Sequence, residues 1–188
     1  MAKETLSNFT YDDLLEIPDD GRHYEILDGE LIVNASPNLH HQRVVGRIYN
    51  TIFDFLERHP LGEVFVAPVD VVFTQRWVVE PDIVYVSNER KSILTKANIS
   101  GAPDLAVEVL SPSTRRKDEI IKRRAYENFG VGEYWIVDPE LESIKVYHRN
   151  EASRYERVVE VNTESAGATV RSPLFAGLEF SLAKIFAQ

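Results

Sequence analysis

Three polar side chains interrupt apolar patterns where a solvated residue is not expected. Glu108 sits inside Leu105-Ala106-Val107-Glu108-Val109-Leu110, a run otherwise wholly apolar. Asp82 follows Pro81 at the head of a second apolar run, Ile83-Val84-Tyr85-Val86. A carboxylate in such surroundings is costly to bury unless it is paired, protonated or bound to a metal. The third residue is Lys122. At about 100° per residue, Asp118, Ile121, Lys122, Ala125 and Phe129 fall on one broad stripe of a helix over 115–129. Ile121, Ala125 and Phe129 turn that stripe to the core, so Lys122 points toward the sheet. Two carboxylates on neighbouring strands with a lysine beside them suit metal-assisted phosphodiester hydrolysis. Asp82 and Glu108 would hold Mg²⁺ (or Mn²⁺), which hard oxygen ligands select. The ion would polarise a phosphoryl oxygen and lower the pKa of a bound water. The lysine would stabilise developing negative charge or the attacking hydroxide. The alternatives are a Glu108 that faces solvent or meets an arginine, and a Lys122 that runs outward along apolar surface.

Elements that could position these groups follow from periodicity. Thr10 caps a short helix stopped by Pro18. His23–Leu27 and Glu30–Val33 flank Asp28-Gly29, a strong hairpin signal. Across that turn Tyr24, Ile26, Leu31 and Val33 share one face, and Glu25, Leu27, Glu30 and Ile32 the other. Val44, Val45, Ile48, Ile52, Phe55 and Leu56 recur at helical spacing, so 38–58 is the longest helix. Val64–Phe73, Ile83–Val86 and Leu105–Leu110 read as strands, with 87–100 a polar connector. Thr114 caps the helix over 115–129, which Gly130 ends. Tyr134–Val137 is a further strand, 143–148 and 155–161 form a peripheral hairpin, and a short helix lies near 182–186. The expected fold is α/β: a mixed sheet flanked by helices, with a peripheral β-hairpin.

Length and composition narrow the class. The chain has 188 residues, 44% apolar and 27% charged, which suits one globular domain over 1–188. Without cysteine there are no disulfides, thiolate zinc sites or cysteine nucleophile. No apolar run approaches membrane-spanning length, and Met1–Thr5 carries no secretory pattern, so a cytoplasmic address is expected. The net charge of −9 disfavours a protein that coats nucleic acid. Locally the balance reverses: Arg115, Arg116, Lys117, Lys122, Arg123 and Arg124 face only Asp118 and Glu119 within 115–124. That run is either a solvated helix face or a phosphate-contacting element.

Five blocks together resemble a known family: Tyr24-Glu25-Ile26-Leu27-Asp28-Gly29-Glu30-Leu31, Glu80-Pro81-Asp82-Ile83, Glu108-Val109-Leu110-Ser111-Pro112-Ser113-Thr114, Glu133-Tyr134-Trp135-Ile136-Val137-Asp138-Pro139 and Ser172-Pro173-Leu174-Phe175-Ala176-Gly177-Leu178. They are similar to the Uma-type "putative restriction endonuclease" family (DUF820-like) of the PD-(D/E)XK nuclease superfamily. The resemblance implies a restriction-endonuclease-like core, divalent-metal cleavage of DNA and a homodimer. Asp82 then matches the motif Asp and Glu108 its second acid. The motif lysine is missing, because Leu110 stands in its place. Lys122, one helix later, is the substitute the resemblance implies. Glu25 matches a further acid of the site, with an exposed hairpin glutamate as the other reading.

His40-His41 opens the long helix, where adjacent residues point apart; capping or surface roles are expected, with His41 also near a family site position. Ser111 is expected to cap the following helix. Tyr147 and Tyr155 either form an interface or pack within the chain. Two functions compete: a Mg²⁺-dependent endodeoxyribonuclease with Asp82, Glu108, Lys122 and Glu25 in its site, and a nuclease-like fold that has lost cleavage and serves binding or dimerisation.

Overall fold

The computed structural model describes residues 8–165 and 167–187. The Met1–Thr5 stretch lies outside them. α1 (Tyr11–Leu15) opens with a reciprocal cap, in which the Thr10 side chain accepts from the Asp13 amide and the Asp13 carboxylate accepts from the Thr10 amide. β1 (His23–Leu27) and β2 (Glu30–Asn34) form the expected hairpin. Asp28 and Gly29 turn it with φ of 54° and 81°, the paired positive values a tight two-residue turn requires. α2 (Leu39–Arg58) follows, with Asn38 as its cap.

The next elements are β3 (Gly62–Val66), β4 (Val71–Thr74), β5 (Trp77–Val79), β6 (Ile83–Ser87), β7 (Ile99–Ser100) and β8 (Leu105–Val109). The single strand expected over Val64–Phe73 is therefore two strands, β3 and β4, in different sheets. Pro68 between them has no amide to donate to a ladder, so the chain leaves one sheet there and enters the other. The connector over 87–100 also holds a 3₁₀ turn at Lys91–Ile93. β9 (Glu133–Asp138), β10 (Ser143–Arg149), β11 (Tyr155–Asn162), β12 (Thr169–Arg171) and β13 (Glu179–Ser181) complete the strands.

Two principal sheets result. One is six-stranded and mixed, in the order β11-β10-β9-β8-β6-β3; the other is five-stranded, β2-β1-β5-β4-β7. β8 and β9 pair in parallel, which demands a crossover, and the helix over 115–129 supplies it. Side-chain alternation then assigns the faces of the six-stranded sheet. Ile83, Tyr85, Val107, Trp135 and Val137 pack with Val44, Ile48 and Ile52 of α2. The opposite parity, Val84, Ala106, Leu110, Tyr134 and Ile136, packs beneath the five-stranded sheet and the crossover helix. Asp82 and Glu108 belong to that second parity.

The crossover helix is not uniformly α. Lys117–Lys122 winds as a π-helix and continues as α3 (Arg123–Phe129), which Gly130 ends in the left-handed region at φ 90°. The wider turn overturns one inward residue: Ile121 is 41% exposed, while Asp118, Lys122, Ala125 and Tyr126 are buried. Residues four apart overshoot a full turn in an α-helix and fall short of one where the turn is wider, so the two offsets cancel along 118–126. Asp118, Lys122 and Tyr126 therefore form the inner row. The chain closes with α4 (Leu182–Phe186), packed on α2. Tyr147 and Tyr155 pack against Tyr134 within the chain. No described helix is long and apolar enough to cross a membrane.

Candidate active site

The second-parity face, the five-stranded sheet and the crossover helix meet at a cavity of about 480 Å³. Asp82, Glu108, Asp118 and Lys122 line it, and so do His23, His41 and Glu80. β6 and β8 are antiparallel neighbours with Ile83 opposite Val107, which sets Asp82 beside the Glu108 strand. The Val109 amide donates to Asp82 Oδ2 at 2.7 Å. β1 brings Glu25 from the other sheet, because His23, Glu25 and Leu27 share the face opposite Ile26.

Lys122 is at the centre of the buried charges. Its Nζ lies 2.6 Å from Glu25 Oε1, 2.9 Å from Glu108 Oε1 and 3.6 Å from Asp118 Oδ1. The Tyr126 hydroxyl donates to Glu108 Oε1 at 2.7 Å, and the Glu80 amide to Glu25 Oε1 at 2.9 Å. Burial would lower the lysine, but Glu108, Glu25 and Asp118 raise it well above its ordinary value. Burial would raise Glu25, yet the adjacent ammonium holds it below the ordinary range. Glu108 goes the other way. Burial pushes it well up against the pull of Lys122, and Asp118, Asp82 and Glu25 add to the rise. Asp118 is likewise raised, chiefly by burial. One ammonium thus faces three buried carboxylates, and Glu25 Oε2 and Asp118 Oδ1 are buried without a hydrogen-bond partner among the described residues.

Sequence reasoning placed Lys122 within reach of both Asp82 and Glu108; the structure brings it to Glu108, and among the described residues its other ion pairs are with Glu25 and Asp118, not Asp82. Glu25 is fully buried in the same cluster, not exposed on its hairpin. Asp82 adjoins the cluster and is 21% exposed toward the cavity. Leu110, where the motif lysine would stand, is buried in the apolar layer. His41 is a correction: it is buried, not at the surface, with Nε2 2.9 Å from the Val109 carbonyl oxygen and 3.5 Å from Asp82 Oδ2. Burial would lower its imidazole, but Asp82 raises it. One turn into α2 and facing the sheet, it lies with Val44, Val45 and Ile48 on the buried stripe, a signal its spacing already carried. His40 packs at the rim, its Nε2 3.4 Å from the Pro139 carbonyl oxygen.

Tyr126, His23 and Glu80 were missed. Tyr126 was hidden by the π winding. His23 and Glu80 share parity with Glu25 and Asp82 respectively, which was legible. His23 Nδ1 sits 3.1 Å from Glu80 Oε2. Burial raises the Glu80 carboxyl to about 6, with Asp70 and Glu25 adding and His23 opposing. The basic run divides. Lys122 is caged, Arg115 is paired with Asp138 and Glu140, and Arg123 stacks over the Tyr147 ring. Lys117 reaches the rim, where its Nζ donates to Asn34 Oδ1 at 3.1 Å. Thr114 and Ser111 bond to each other at the start of the helix (Oγ to Oγ1 3.0 Å), closing the turn that leads into it.

The family model Uma2, "Putative restriction endonuclease", matches residues 11–183. A solved structure, described as a putative nuclease belonging to DUF820 from Anabaena variabilis ATCC 29413, superposes with a TM-score of 0.78 at 20% identity, covering 95% of this chain and 98% of its own. No curated protein matches the sequence.

Proposed function

The chain belongs to the Uma2 family, and we propose from that premise that it is a divalent-metal-dependent endonuclease hydrolysing DNA phosphodiester bonds. The observation that carries the proposal is the unbalanced charge at the cavity wall. Three buried carboxylates share one lysine, two of their oxygens lack a hydrogen bond among the described residues, and Asp82 stands alongside. Buried charge of one sign requires a counter-charge or protons.

Mg²⁺ or Mn²⁺ fits the donor set. Among the described residues no three His, Asp or Glu side chains form a complete metal cage. Mg²⁺ does not need one, because it keeps several waters and takes one or two carboxylates plus substrate phosphates. Asp82 and Glu108 would hold it; when bound it polarises the phosphoryl oxygen and acidifies a water. The chain's own groups fix the rest. The Val109 amide and His41 orient Asp82. Lys122 and Tyr126 take Glu108 Oε1, which leaves the other oxygen of this cavity-lining residue without a hydrogen bond among the described residues. Lys122 stays protonated in its cage and offsets the repulsion of Glu25, Glu108 and Asp118. Lys117, which reaches the cavity-lining Asn34, supplies phosphate-facing charge at the rim.

The test is Mn²⁺ titration followed by calorimetry, with plasmid nicking at low salt. Wild type should bind and nick, and Asp82→Ala should lose both. Binding without nicking would favour the cleavage-dead module. Neither binding nor nicking would refute the metal-dependent reading.

A further inference from the structure

Hydrolysis needs an acceptor for the proton of the attacking water, and this inference rests on the nuclease reading above. Lys122 is unsuited, since three carboxylates keep it protonated and it is buried. Asp82 and Glu108 would hold the ion. His41 Nε2 is directed at the Val109 carbonyl and at Asp82, and its Nδ1 is buried. His40 is turned to the Pro139 carbonyl, with no carboxylate to orient it.

His23 differs on each count. It opens β1 on the face that carries Glu25, it lines the same cavity, and its side chain is 43% exposed. Glu80, 14% exposed at the side chain, sits 3.1 Å from its Nδ1. Among the described residues its Nε2 has no partner. A carboxylate on one ring nitrogen fixes the tautomer and leaves the lone pair on the other. We propose that His23 is the proton acceptor of the hydrolysis, with Glu80 as the positioning residue that holds Nδ1–H and leaves the Nε2 lone pair free for the cavity.

The step balances. The water oxygen bonds to phosphorus as its proton passes to His23 Nε2. The phosphorus–oxygen bond to the leaving nucleoside breaks, and that oxygen takes a proton from solvent. The imidazolium then releases its proton to solvent. The charged groups that bear on the pair are mostly acids: Glu80, from the segment before β6, faces His23 directly, and Asp70, from the segment before β4, and Glu25, on the strand of His23, act on Glu80. Arg22, the chain neighbour of His23, is turned to Asp20 at 3.5 Å.

Two measurements test this. The first is the pH–rate profile of Mn²⁺-supported plasmid nicking for wild type, His23→Gln and Glu80→Gln. His23→Gln should lower kcat by on the order of 10²–10⁴ with KM unchanged, and should lose the fall in rate toward acid. Glu80→Gln should show a smaller loss. A His23→Gln variant within a few-fold of wild type at every pH overturns the assignment. The second is long-range proton–nitrogen correlation NMR on the metal-free chain. It should show neutral His23 protonated at Nδ1 and moved toward the Nε2 tautomer by Glu80→Gln. A proton on Nε2 in wild type overturns the assignment as well. A wild type that nicks no DNA refutes the nuclease reading itself, while the tautomer still reports on the His23–Glu80 pair.

Discussion

Replacing Lys122 by Met would remove the one cation from a buried cluster of three carboxylates. Breaking a buried ion pair from one side costs about 3–5 kcal/mol, because the partner remains buried and uncompensated. Here the ammonium serves Glu25, Glu108 and Asp118 at 2.6, 2.9 and 3.6 Å, so the upper end applies. For a chain of this size each kcal/mol moves Tm by roughly 2–4 °C, which puts the expected drop near 10–20 °C at pH 8. The pH dependence has a definite sign. The raised Lys122 value makes its contribution complete below the ordinary 10.5 and lost as pH climbs through the folded value. Glu25 is lowered, so its contribution is present above the ordinary 4.5 and lost as pH falls through the folded value. Glu108 and Asp118 are raised, so their ionisation erodes stability as pH climbs from the ordinary carboxylate range. Without the lysine Glu25 loses the charge that lowers it, and Glu108 and Asp118 rise further. The gap between wild type and Lys122→Met should therefore widen from about pH 4.5 to pH 8 and narrow toward acid, where the carboxyls are buried neutral. Urea unfolding at pH 5 and pH 8, compared at equal slope, reads this directly. A gap below about 1 kcal/mol at pH 8, or one independent of pH, would refute the central role given to the lysine.

Tyr126→Phe deletes a 2.7 Å donor to Glu108 Oε1. It should cost about 1–3 kcal/mol by urea unfolding and lower kcat for nicking while KM holds. Glu133 is fully buried and accepts from Trp135 Nε1, the Ser172 hydroxyl and the Leu174 amide. Glu133→Gln keeps the shape but sets an amide donor against one of these donors. The expected loss is about 1–3 kcal/mol, with faster hydrogen exchange at the Leu174 amide. Phe175, fully buried with ring centroids 5.8 Å from Phe55 and 4.7 Å from Tyr85, anchors the C-terminal segment. Phe175→Ala should cost about 3–5 kcal/mol in urea midpoint terms, without changing metal affinity at the distant cavity.

Local chemistry made much of this molecule readable from the chain. Asp28-Gly29 dictates a turn with positive φ at both positions, so the hairpin and its register follow from two residues. The apolar repeat of 38–58 needs one buried stripe, and α2 buries it. Asp82 at the head of one apolar run and Glu108 inside another mark two strands that carry an acid, and the helix that joins β8 to β9 must cross their sheet. The site was legible to that extent: which acids break the apolar pattern, and which helix carries the lysine; the register of β6 on β8 then sets both acids on one face.

Period two does not say what covers the face. Nothing in Glu25 or His23 marks them as buried or cavity-facing until a second sheet closes over the first. The same closure parts Val64–Phe73 between two sheets at Pro68. The π winding at Lys117–Lys122 is a tertiary choice too, because the i to i+5 bond pattern has no strong residue preference and forms where packing requires it. It decides that Ile121 faces water and that Tyr126 reaches Glu108. Periodicity and turn chemistry act over a few residues and survive in the sequence alone. Burial, charge pairing and helix winding depend on groups from β1, β6, β8 and the crossover helix meeting at once, and only the assembled fold brings them there.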